Sequence, residues 1–308
     1  MWWRPTRPRR TCRHAKRQRT ERRHRRKAMG DQAVNLHVAD ARSPLAKVFA
    51  VTSGKGGVGK TNIAANLAIC LAALNKRVLL LDADFSLANL DVVMDIRHKY
   101  DISHVISGHK RMEEVIQPGP KGVQVICGAS GLDKLADLSE GEQRHLLHHL
   151  SKLQQETDMI VVDTAAGISR SVVNFCLAAD HVLVVTTPEA TALTDAYGMI
   201  KVLARKRYQG PISIVVNMAR DMAEGKRTYQ RIADVARKFL ERDLYFAAVL
   251  PKDERLCTAV RSRKPVVLAY PNAQISSSLA KLAERLSDVR RDVEVSGGFF
   301  RKVVKWLN

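Results

Sequence analysis

The segment Gly54-Lys55-Gly56-Gly57-Val58-Gly59-Lys60-Thr61 constrains this chain more than any other stretch. It follows an apolar run, Val48 to Thr52, and opens a helical stretch, Thr61 to Leu74, which is the setting a phosphate-binding loop requires. Glycines let successive backbone N–H groups turn inward around an anion, and the N-terminus of the following helix adds partial positive charge. Lys60 is then placed to reach the β- and γ-phosphates of a nucleoside triphosphate, and the Thr61 hydroxyl to ligate Mg²⁺. The expected nucleotide-binding set is Gly54, Gly56, Gly57, Val58, Gly59, Lys60, Thr61 and Asn62.

Around this loop, short apolar runs alternate with helical patterns. Strands are predicted at 48–52, 77–81, 123–127, 159–162, 181–185, 212–216 and 244–250, and helices at 61–74, 138–155, 193–205, 228–240 and 273–290. Most of the strands are near-continuous Val/Ile/Leu runs, the pattern of strands buried on both faces. Strand and helix in turn imply an α/β fold: a doubly wound, mostly parallel sheet with right-handed crossovers and helices on both faces. Ligands of such sheets sit at the carboxyl ends of the strands. Two strands end there in carboxylates: Leu79-Leu80-Leu81-Asp82-Ala83-Asp84, and Ile160-Val161-Val162-Asp163. An isolated strand-end Asp more often caps a helix. With a phosphate loop upstream, Asp82, Asp84 and Asp163 are instead expected to converge on the metal and the attacking water.

The 308 residues suffice for one large α/β domain without disulfides. Cys12, Cys70, Cys127, Cys176 and Cys257 form no Cys-x-x-Cys pair and no Cys/His cluster at metal-ligand spacing, so reduced thiols in a cytosolic protein are expected. No apolar run approaches the roughly 20 residues that span a bilayer, and the basic N-terminus lacks the apolar region of a secretory signal. The formal charge of +20 is unevenly placed: residues 1–28 hold 13 Lys or Arg and one acid, which leaves +8 for the rest. That tail is expected to be disordered. It either holds nucleic acid or acidic lipid by counterion release or lies upstream of the start at Met29; elsewhere, nucleic-acid binding is not expected.

Together, Gly-Lys-Gly-Gly-Val-Gly-Lys-Thr at 54–61, Asp82-x-Asp84 followed by Asn89-Leu90-Asp91, and Asp163-Thr164-Ala165-Ala166-Gly167 resemble the deviant Walker A, switch I and Walker B/switch II motifs of MinD/ParA ATPases, in order over about 47–290. The resemblance implies a slow Mg²⁺-dependent ATPase that dimerises with ATP. It makes Lys55 the signature lysine that reaches the partner's phosphates, and gives Asp84 the lytic water. Asp82 and Asp163 would hold Mg²⁺ with Thr61, and Asn217 would contact adenine. Arg170 stands where a nitrogenase iron-protein-like relative would have a cysteine, which argues against a metal cluster.

The two ends refine the reading. In residues 299–308, Phe300, Val303, Val304 and Leu307 share one helical face, with Arg301, Lys302 and Lys305 off it. Phe299, Phe300, Val303, Val304, Trp306 and Leu307 therefore read as an in-plane anchor for an anionic membrane surface, weak in one copy and stronger in a dimer. The alternative is a helix docked on its own domain, against which the Gly297-Gly298 hinge and basic flank speak. Upstream, Asp31-Gln32-Ala33-Val34-Asn35-Leu36 resembles the Asp-Gln-Ala-x-x-Leu segment of the flagellar-number regulator family FlhG (FleN, YlxH). That likeness implies that Asp31, Gln32, Ala33 and Leu36 dock on an FlhF-type GTPase and stimulate it. It also implies flagellar C-ring proteins or a flagellar transcription regulator as further partners. The expected organisation is a basic tail (1–28), a GTPase-activating segment (29–46), an ATPase domain (47–295) and a membrane-targeting helix (296–308). The expected location is cytoplasmic, with reversible attachment to the inner face of the cell membrane. A MinD-like septum-site protein or a ParA-like DNA-partitioning protein is the competing reading, and a non-hydrolysing scaffold is one of another class.

Overall fold

The computed structural model describes residues 45–84, 89–128, 139–288 and 298–307. Among them, strands β1 (Lys47–Ser53), β2 (Val78–Ala83), β3 (Gln117–Pro118), β4 (Gln124–Ile126), β5 (Met159–Ala166), β6 (His181–Thr186), β7 (Ile212–Ala219) and β8 (Tyr245–Pro251) form one sheet in the order β3-β4-β2-β5-β1-β6-β7-β8. Every pairing is parallel except that of β3 with β4 at the edge. The predicted strands are all present; β3, too short to carry a pattern, is the addition.

Because side chains alternate across a strand, each central strand feeds two cores. Phe49 and Val51 face one, Val48 and Ala50 the other. The helices of eight or more residues are α1 (Lys60–Ala73), α2 (Glu140–Glu156), α3 (Arg170–Ala178), α4 (Ala190–Arg205), α5 (Met222–Leu240), α6 (Glu254–Arg261), α7 (Gln274–Ser287) and α8 (Phe299–Leu307). Ile63 and Leu67 of α1 join Ile275 and Leu279 of α7 on the Phe49 side. Leu146 of α2, Phe175 of α3, Met199 of α4, Ile232 of α5 and Phe300 of α8 lie on the Val48 side. The doubly wound arrangement is thus the one expected.

Several helix starts differ from expectation, and two of them have a clear local cause. α5 begins at Met222 rather than 228 because the Asp221 carboxylate accepts the Glu224 N–H at 2.7 Å, a cap that lets a polar first turn form. α3, not predicted, is capped by Ser169, whose hydroxyl accepts the Val172 N–H.

The C-terminal helix is docked on the domain in this structure. Phe299, Phe300, Val303 and Val304, expected to be free for a membrane, are buried on the chain's own α2 and α3. The Phe299 ring lies 6.3 Å from that of Phe175, centre to centre, and the Lys302 ammonium donates to the Ala178 carbonyl at the end of α3. The reason is the ordinary cost of apolar surface in water, about 1.5–3 kcal/mol for each such side chain at full burial. Gly298, expected to be a hinge, is a packing residue here: a Cβ on it would stand 2.7 Å from the Gln154 Oε1. The side chains of Trp306 and Leu307 lie outside the described residues, as do Asp31, Gln32, Ala33 and Leu36.

Candidate functional site

Strand order positions the site. β1 feeds the glycine loop, and its neighbour β5 lies between it and β2. Asp82 of β2 pairs in register with Asp163 of β5, and Asp163 with Val51 of β1, so both carboxylates stand beside the root of the loop. The loop is tied to switch II by the Gly167 N–H, which donates to the Ser53 carbonyl at 2.9 Å, and by the Thr164 hydroxyl, which donates to the Val51 carbonyl at 3.1 Å.

Within the loop, Gly59 has a φ of +91° and sits at the N-cap of α1. A Cβ there would approach within 2.5 Å of the Asn217 side-chain nitrogen, which donates to the Val58 carbonyl at 2.8 Å. Asn217 therefore clamps the loop to the end of β7. Gly54 meets a stricter limit, since a Cβ would fall 2.0 Å from the Asp195 carbonyl oxygen of α4. Asn62 lies in the first turn of α1, half-buried, with its carbonyl taken by Asn66.

The charged groups are tightly grouped. Lys60 is buried; burial pulls its pKa below the ordinary value, while Asp163 and Asp84 hold it up. Burial pushes both Asp82 and Asp163 upward, to about 7. Asp163 adds to the cost of ionising Asp82, and Asp84 to that of ionising Asp163, while the Thr61 hydroxyl, bonded to Asp163, and Lys60 partly relieve Asp163. The Asp84 N–H donates to Asp82 Oδ1 at 3.1 Å, so the two acids of switch I are fixed relative to one another.

Whether this set suits Mg²⁺ and a nucleotide is decided by its unspent atoms. Asp82 Oδ2, Asp163 Oδ1 and Asn217 Oδ1 are buried and lack a hydrogen-bond partner. Buried oxygens without partners are costly unless a ligand satisfies them. Two carboxylates and a threonine hydroxyl form the hard oxygen set that Mg²⁺ prefers, and the amide oxygen of Asn217 is an acceptor for an adenine amino group. The residues fit.

A stability consequence follows. An acid whose folded pKa is raised holds its proton where the unfolded chain, ionising near pH 4, has released it. Their contribution is therefore lost as pH rises from about 4 through about 7. The unfolding temperature of the Mg²⁺-free protein should fall between pH 4.5 and 7.5, and fall less in Asp82→Asn. Equal slopes in the two proteins would contradict the burial argument.

Lys55 is the residue whose placement was least expected. Its ammonium donates to Glu189 Oε2 at 3.1 Å and to the Thr191 hydroxyl at 3.0 Å within the same chain. Glu189 and Thr191 were missed, although the loop just beyond a strand's carboxyl end is where site residues gather. Arg170 starts α3. Of the described cysteines, Cys70, Cys127 and Cys176 are buried and Cys257 is exposed. Among the described residues no group of three His, Cys, Asp or Glu is arranged to hold a metal ion.

Comparison with known proteins agrees with this geometry. Residues 45–287 match the family described as ParA, NUBPL iron-transfer P-loop NTPase. The chain is 40% identical over 240 residues to the antiactivator FleN of Pseudomonas aeruginosa, covering 78% of this chain and 86% of that protein. It is 34% identical over 268 residues to the flagellum site-determining protein YlxH of Helicobacter pylori, covering 85% of this chain and 90% of the relative. Among solved structures, a chain of the MinC:MinD cell division protein complex of Aquifex aeolicus superposes with a TM-score of 0.65 at 27% identity, covering 82% of this chain and all of that one. A loop with the MinD/ParA lysine pair, carboxylates at adjacent strand ends, and relatives that share most of its length place this chain in the MinD/ParA family of P-loop NTPases, among the flagellar regulators of the FleN/YlxH type.

Proposed function

We propose that this protein is a Mg·ATP-dependent, dimerising ATPase that cycles between cytosol and the inner face of the cell membrane and regulates flagellar number and placement. The observation that supports it best is the meeting of Lys60, Asp82, Asp84 and Asp163 at the carboxyl ends of adjacent strands, with buried oxygens left for a ligand. Lys60 and the loop N–H groups hold the β- and γ-phosphates, Thr61, Asp82 and Asp163 hold the metal, and Asn217 reads the base. Asp84 orients the attacking water. Bound Mg²⁺ supplies charge neutralisation on the phosphate oxygens as the terminal bond breaks. To reach the phosphates of a second copy, Lys55 has to exchange Glu189 and Thr191 for them.

The docked α8 gives the membrane step its form. One helix cannot bury Phe299, Phe300, Val303 and Val304 in its own groove and in lipid at once, so attachment requires undocking. A dimer presents two such helices, and the second engages at high effective concentration. Residues 29–46 deliver Gln32 to an FlhF-type GTPase. The name of the Pseudomonas relative, an antiactivator, favours a transcription regulator among the partners; C-ring proteins are the others proposed.

The deciding experiment is GTP turnover by an FlhF-type GTPase with and without a peptide covering Met29 to Ala46. Stimulation that disappears with Gln32→Ala is expected. Absence of stimulation would remove the GTPase partner and leave the ATPase intact.

A further inference from the structure

At the pole of the sheet opposite the glycine loop, where β6, β7 and β8 begin, lies a cavity of about 640 Å³. Ligand pockets commonly fall in the range of about 300–1,000 Å³. Its floor is polar and neutral: His181 Nε2 and the Ser213 hydroxyl are 2.8 Å apart, and both residues are buried. Burial, with Lys47 nearby, lowers the His181 pKa to about 4, so the imidazole carries no charge at neutral pH. His181 Nδ1 is buried without a partner.

Two guanidinium groups line the same cavity. Arg242 donates to the Gly210 carbonyl and Arg285 donates to the Ala247 carbonyl at 2.8 Å. Each is thereby anchored to backbone, and among the described residues neither is in an ion pair. The acid that lines the cavity, Asp243, is paired with Arg237 at 3.1 Å. An arginine has five N–H donors, so one backbone contact leaves most of its fork for a carboxylate or phosphate. An aromatic wall completes the chamber: Tyr245, in register with Ser213 and on the same face of the sheet, is exposed at the cavity.

We infer that this cavity is a second ligand site, separate from the nucleotide site, for a flat organic anion whose carboxylate or phosphate is taken by Arg242 and Arg285 while its body lies against Tyr245. The pairing of anchored guanidinium groups with the Tyr245 ring matches a ligand that is charged at one end and apolar at the other. The neutral floor contributes hydrogen-bonding groups without a competing charge.

The test uses the full chain with its glycine loop saturated by Mg·ADP and titrates 1-naphthyl phosphate, 2-naphthoate and neutral 1-naphthol by calorimetry. One equivalent of at least one of the two anions should bind, with 1-naphthol at least tenfold weaker. The phosphate and carboxylate arms tell which head group the arginines take. Arg242→Gln and Arg285→Gln should each weaken the anion at least tenfold, with ATP turnover unchanged. The inference is overturned if neither anion binds at millimolar concentration, if both variants bind like the parent, or if added Mg·ADP displaces the ligand. Neither arginine belongs to the nucleotide site, so failure here leaves the ATPase proposal standing.

Discussion

Asp84→Ala should lower ATP turnover by about 10²–10⁴-fold, the range general acid–base assistance supplies, while Mg·ATP affinity stays within a few-fold of the parent. The separation is expected because the carboxylate of Asp84 is assigned to the water, whereas its N–H, which holds Asp82 Oδ1, survives the substitution. Lys60→Gln should behave in the opposite way. It removes the buried ammonium set among Asp163 and Asp84, leaving the acids without their nearest cation, and nucleotide binding itself should fail. Single-turnover phosphate release and equilibrium binding of a fluorescent ATP analogue distinguish the two. With liposomes and ATP, the Asp84 variant should accumulate on the membrane and the Lys60 variant should stay in solution. Identical partitioning of both would end the switch proposal.

The second large effect concerns Phe300. In Phe300→Ala the liposome affinity of the ATP-bound dimer, whose two terminal helices are already undocked in the proposed cycle, should drop by about 100-fold or more. The estimate takes a loss near 1.4 kcal/mol per helix, less than full burial because a headgroup interface is only partly apolar, and counts two helices in a dimer. The same substitution should also destabilise the nucleotide-free protein, since Phe300 of α8 is fully buried against the domain; Phe→Ala in a core typically costs about 3–5 kcal/mol. Liposome flotation and thermal unfolding read the two losses independently. Unchanged flotation would remove the anchor role, and an unchanged unfolding temperature would mean that the groove contributes nothing to folding.

The sheet and the nucleotide loop were legible in the chain because their signals are local. A strand buried on both faces, such as Leu79 to Leu81, has to be apolar without interruption, and an anion nest has to be glycine-rich. The pairing of Asp82 with Asp163 was legible one step later, from the rule that parallel strands collect their ends. What lay beyond reach was decided by contacts between distant segments. Nothing near Lys55 announces Glu189, which the crossover into α4 delivers. The amphipathic pattern of 299–307 states that a face has to be covered, but lipid and the groove over Phe175 satisfy that pattern equally. Met222 to Arg227 looked like loop because its helical character rests on one cap, Asp221, and on Gly225, which packs against Val249. The arginines at the far pole gave no sequence signal, because Arg242 and Arg285 meet only through the sheet.

The run from β5 into α3 has a consequence for how news of the nucleotide can travel. One uninterrupted piece of backbone begins with Asp163 at the proposed metal site, passes Gly167 where it is tied to Ser53, and ends with Phe175 and Ala178 under the terminal helix. In the proposed cycle, chemistry and anchorage therefore share one segment of backbone, held midway at Gly167. Lengthening the link between Gly167 and Ser169 would leave each end intact and disconnect them, yielding an enzyme that still burns ATP yet no longer times its stay on a surface.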